Sequence, residues 1–91
     1  MTPLNIDVLA WLRTGDDPHR FNDVLPGHTV DTVFAQDECK WETGIRPVGG
    51  VWIIVAQYEN EAEAESGHYG WVELLRTNPK AKLTDINLWG L

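Results

Sequence analysis

One stretch, Val51 to Tyr58 (VWIIVAQY), constrains the fold of this chain more than any other. Its apolar run is unbroken from Val51 to Ala56, and its β-branched residues favour a pleated strand. Continuous apolarity of this length predicts a central strand covered on both faces. The domain must therefore hold a sheet and something to lay on it. Glu38 to Thr43 alternates, with Cys39 and Trp41 on one face, and Arg46 to Gly50 (RPVGG) is turn chemistry. Gly70 to Arg76 is a further strand candidate, although WVELLR fits a short helix as well. Thr77 to Lys80 turns the chain, and Leu83 to Trp89 reads as the last strand. Links this short favour an antiparallel meander.

Helical signals come earlier. Thr2 is a cap, Pro3 stands where a first helical residue tolerates proline, and Gly15 follows the last turn. Leu4, Val8, Trp11 and Leu12 give that helix one apolar face. A polar connection from Asp16 to Pro26 holds a short strand, Arg20 to Leu25, which Pro26 stops. His28 to Gln36 (HTVDTVFAQ) is ambiguous. Val30, Val33 and Phe34 fit a helix capped by Thr29, while Val30, Thr32 and Phe34 alternate as in a strand. A short helix is the preferred reading. The expected class is α+β: an antiparallel sheet of four to five strands with one or two helices packed on one face. The 91 residues form a single domain, residues 1–91. At that size a chain hides roughly 60–65% of its unfolded surface, enough for one modest core. Trp52 is the clearest core tryptophan and Trp89 the one expected at the surface.

Charge is unevenly placed. The formal charge is -7, and residues 16–65 carry eleven acids against three bases while the two ends are nearly neutral. Glu59, Glu61, Glu63 and Glu65 alternate in ENEAEAE, expected to be a solvated loop between two strands. A sequence pI near 4.7 disfavours direct binding to a polyanion and suits a basic protein partner. The chemical inventory is thin. Ser66 and Cys39 are the single serine and cysteine, and His19, His28 and His68 are scattered without metal-ligand spacing. Ser66-Gly67-His68 reads as a turn, and Cys39 as a buried thiol. The expectation is a protein that is not an enzyme, needs no cofactor or metal, and is monomeric when free. Without an apolar leader or a run long enough to span a bilayer, it is expected in the cytoplasm and off membranes.

The order of segments resembles that of the phage inhibitors of uracil-DNA glycosylase. The resemblance rests on Met1-Thr2 and Leu4, a helix ending at Thr14-Gly15, the Leu25-Pro26 step, Val30 with Val33, and Tyr69 and Trp71 ahead of WVELL. That likeness implies a DNA mimic that fills the enzyme's DNA groove. By position, Arg20 to Val24 would enter the groove and Asp31, on a second helix, would stand in for a phosphate. Arg20 would be repelled by a basic groove, so Asp16, Asp17 and Asp23 would supply further carboxylates. An apolar pocket for the leucine that the enzyme inserts into DNA would draw on Leu25, Val30, Val33, Phe34, Trp52, Ile54 and Val72. The implied partner is a basic, DNA-binding host protein, with uracil-DNA glycosylase favoured. Two alternatives share the acidic surface: another phage anti-defence inhibitor (anti-CRISPR or anti-restriction), or an immunity protein that neutralises a nuclease toxin.

Overall fold

The computed structural model describes residues 20–36 and 38–86. The expected first helix, Asp16, Asp17 and Trp89 lie outside the described residues. Within them the chain folds as β1 (Arg20–Val24), β2 (His28–Ala35), β3 (Lys40–Pro47), β4 (Ile53–Tyr58) and α1 (Glu61–Thr77). The strands form one antiparallel sheet in the order β1-β2-β3-β4, and α1 packs across all four. This is the α+β meander the short links predict.

Local chemistry explains each connection. Pro26 and Gly27 close β1 onto β2, with the Leu25 amide donating to the His28 carbonyl at 2.7 Å. Between β3 and β4, Gly49 adopts φ 76° and the Gly50 amide donates to the Pro47 carbonyl at 2.8 Å. That positive φ is what a type II turn reserves for glycine at its third residue. The β2–β3 connection puts Cys39 at φ 53°, an unusual conformation for a residue with a Cβ. Cys39 is exposed there, not buried as the alternation of Glu38 to Thr43 suggests, because the strand begins only at Lys40.

Three elements differ from the sequence reading. His28–Ala35 is a strand, not a helix: paired between β1 and β3, its β-branched residues fit a pleated surface. The apolar run of β4 does not mark a central strand. β4 pairs with β3 at the border of the described sheet, and only Val55 in it is fully buried. The register shifts opposite Thr43 and Gly44, leaving Val55 as the extra residue of a bulge. Val55 and its neighbour Ala56 then both reach the core, so continuous apolarity here records a bulge. Consecutive residues are buried instead in β2 and β3, whose buried runs include Asp31, Thr32, Glu42 and Thr43.

The third difference is α1, which absorbs ENEAEAE, Ser66-Gly67-His68 and the WVELLR segment into one helix of 17 residues. Asn60 caps it, its side chain accepting from the Glu63 amide at 2.9 Å, while the Glu63 carboxylate accepts from the Glu59 amide at 3.3 Å. Glu61 and Glu63 in the first turn favour the positive end of the helix dipole. Alternating glutamates thus read as a helix start. Ala64, His68, Val72 and Leu75 form the buried stripe. At the far end, the Asn78 amide donates to the Leu74 carbonyl at 2.7 Å before Pro79.

Leu25, Val30, Ile45, Val55, Val72 and Leu75 make the core, and Ala81 and Leu83 fold back onto it. Residues 83–86 are not strand, and the rest of the expected last strand lies outside the described residues. Among the described tryptophans Trp41 is the core residue, 5% exposed, while Trp52 is half-buried in the approach to β4.

Candidate functional site

Of the acids assigned to a contact surface, the two described, Asp23 and Asp31, are each engaged by a side chain of the fold. Asp31 is wholly buried on β2 and faces away from α1. Arg20 grips it with two bonds, Nε to Oδ1 and Nη2 to Oδ2, each 3.0 Å. A guanidinium and a carboxylate in this fork are geometrically matched. Burial nevertheless dominates and raises the Asp31 carboxyl above 3.8, with the Arg20 bonds pulling the other way. Arg20, expected to be repelled by a basic groove, instead neutralises a buried acid. Asp31 sits on a strand, not on a second helix, and is no surface charge. Asp23 accepts from His68 Nε2 at 2.8 Å and keeps about a third of its side chain in water.

The apolar residues expected to line one pocket do not gather. Leu25, Val30 and Val72 meet in the core under α1. Val33 and Ile54 pair opposite Glu42 and Gly44 and so belong to the other face of the sheet. Phe34 lies at the sheet margin, 37% exposed, with its ring edge on Trp41 at 5.7 Å. Trp52 precedes β4.

Beneath α1 the face of the sheet carries a polar line. His68, fully buried, bonds Asp23 through Nε2 and the Thr32 hydroxyl through Nδ1 at 2.7 Å. Thr32 is 2.7 Å from Thr43 Oγ1, and Thr43 is 3.0 Å from the Tyr58 hydroxyl. One residue from each strand and one from the helix are thus joined: β1, α1, β2, β3, β4. Thr32 and Thr43 are buried and hydrogen-bonded on both sides, so the Asp23–His68–Thr32 order does not present a hydroxyl to a substrate. Phe21 and Tyr69 wall the imidazole, at 5.8 and 5.0 Å between ring centres. The Tyr58 ring occupies the space where a Cβ on Gly67 would lie, so glycine is needed at that point of the helix. In the sequence, one signal for this line was available: His68 falls on the stripe of Ala64, Val72 and Leu75. The partners Asp23, Thr32 and Thr43 carried none without the register.

The surface carboxylates are elsewhere. Glu38, Glu59, Glu61, Glu63 and Glu65 are exposed; contacts draw Glu38, Glu59 and Glu63 to one end of the molecule, where Glu61 is the first residue of α1. Gln57 Nε2 donates to Glu42 at 2.7 Å and to Glu38 at 3.3 Å. Lys40 Nζ stands 3.8 Å from Glu59, and Glu63 reaches the Glu59 amide. At the opposite end, Val24, Val48 and Val51 are about three-quarters exposed, and the Val48 amide donates to the Gly27 carbonyl at 3.0 Å. Among the described residues no group of three or more histidines, cysteines or carboxylates could hold a metal, and no helix is long and apolar enough to cross a membrane. Compared with known protein families, curated proteins and solved structures, the chain matches none of them.

Proposed function

We propose that this chain is a small acidic binding protein that occupies the basic groove of a DNA-handling protein, with a uracil-DNA glycosylase as the first partner to test. The observation that carries this reading is the gathering of Glu38, Glu59, Glu61 and Glu63 at one end, on a hairpin connection and a capped helix start. Fixed carboxylates on backbone of this kind offer a basic groove an array of charge without the ordering cost of a loose loop. Lys40, the base placed beside Glu59, is itself 44% exposed and neutralises little at such a separation. The contact surface is therefore assigned to this end and not to Asp23 or Asp31, which the fold uses internally.

The test is excision of uracil from a labelled duplex by the glycosylase in the presence of excess chain. The expected result is loss of excision, restored when Glu59, Glu61 and Glu63 are replaced together by glutamine. Undiminished excision at excess protein overturns the glycosylase assignment. Inhibition that survives the triple replacement overturns the assignment of the surface.

A further inference from the structure

Hydrogen-bond valence gives the polar line beneath α1 a direction. An ionised Asp23 can only accept, so His68 Nε2 carries a hydrogen toward it. With the ring neutral, Nδ1 is bare and must accept from the Thr32 hydroxyl. Thr32 has then spent its one hydrogen, so Thr43 donates to Thr32, and Tyr58 donates to Thr43. Each threonine hydroxyl gives once and receives once, and the Tyr58 hydroxyl gives once. With the ring protonated, Nδ1 carries a hydrogen as well and donates to Thr32. Thr32 then donates to Thr43 and Thr43 to Tyr58, whose own hydrogen must turn outward.

We infer that this line is a direction-reversing relay: protonation of His68 flips the donor sense of Thr32, Thr43 and Tyr58, carrying the charge state of a buried ring across the sheet to the Tyr58 hydroxyl of β4. The groups that bear on the ring come from every element packed around it. Asp23 faces it from β1, beside the Phe21 ring. From β2 come Thr32 and, on the far face and held by Arg20, the Asp31 carboxylate, whose field reaches it. Thr43 of β3 and Tyr58 of β4 follow in the line, and Tyr69 of α1 presents an edge. Because the Tyr58 ring and hydroxyl are seated against Gly67, in the second turn of α1, the relay ends between the helix and the sheet. The inference does not depend on which partner the acidic end meets.

The relay is testable on the whole chain, labelled with carbon-13 and nitrogen-15, by nuclear magnetic resonance from about pH 4.5 to 8.5, the range that brackets histidine titration. At high pH the His68 nitrogen shifts should report hydrogen on Nε2 and none on Nδ1. As the ring charges, the Tyr58 Cζ shift should move with the same midpoint. In Thr43→Val, which keeps shape and loses the hydroxyl, the Tyr58 response should vanish while His68 still titrates. Thr43→Ser should restore it. The inference is overturned by an Nδ1–H tautomer at high pH, by a His68 ring that does not titrate in this range, or by a Tyr58 shift that stays flat as His68 charges. A Tyr58 response unchanged in Thr43→Val overturns it too, since the coupling would then pass through space. If Thr43→Val fails to fold, Thr43→Ala replaces it in the same comparison.

Discussion

Asp31 shows how a single residue can be recognised in the sequence and misassigned by it. The resemblance to glycosylase inhibitors implies for it a surface charge on a second helix. Its position on β2 puts it inside, where Arg20 from the neighbouring strand holds it with two bonds of 3.0 Å. The pair is diagonal across the β1–β2 register, with Arg20 opposite Val33 and Asp31 opposite Asn22. No spacing in the sequence announces such a contact. Its titration has a definite sign. Burial raises the folded carboxyl above 3.8, so the native state holds the proton more tightly than the unfolded chain. The corresponding stability is fully present below 3.8 and is lost as pH rises through the folded value. Wild type should therefore gain on Asp31→Asn as the pH is lowered from neutral toward 4, compared by urea unfolding at each pH. A gap that moves the other way would mean that the Arg20 pairing outweighs burial.

The elements that sequence reading misjudged share one physical cause: their buried faces are polar or interrupted. Strand β2 hides Asp31 and Thr32 next to Val30, so its apolar alternation is broken at the positions a reader relies on. Helix α1 was obscured by two glycines and a histidine in its middle, all counter to helix propensity. The end of the strand sequence, by contrast, was plain in β1 and in the turns around Pro26 and Gly49, because proline and glycine act locally. The two helix glycines separate propensity from packing. Gly70 has nothing near it, so Gly70→Ala should stabilise by ~0.5–1 kcal/mol, the ordinary gain of alanine over glycine in a helix. Gly67 faces the Tyr58 ring, and Gly67→Ala should destabilise by ~1–3 kcal/mol despite the same propensity gain. Equal effects of the two substitutions in thermal or denaturant unfolding would show that α1 is not seated against Tyr58 as described.

At the scale of the whole molecule, the charge that composition reports as one number is sorted by the fold. The excess acid lies in residues 16–65; among the described residues of that stretch, Asp31 and Glu42 are interior and the glutamates around the start of α1 are exposed. The acidic end and the exposed valines lie at opposite ends of the strands, an arrangement legible only once the meander is known. The resemblance to glycosylase inhibitors placed a helix where β2 runs, which moves the expected contact from that segment to the glutamates of α1. The most direct test of that contact is the affinity of the chain for a uracil-DNA glycosylase as a function of salt. The complex should weaken steeply as salt is added, with a shallower slope when Glu59, Glu61 and Glu63 are glutamine. A complex of equal affinity and equal salt slope for both proteins, or no complex at low salt, would contradict this contact.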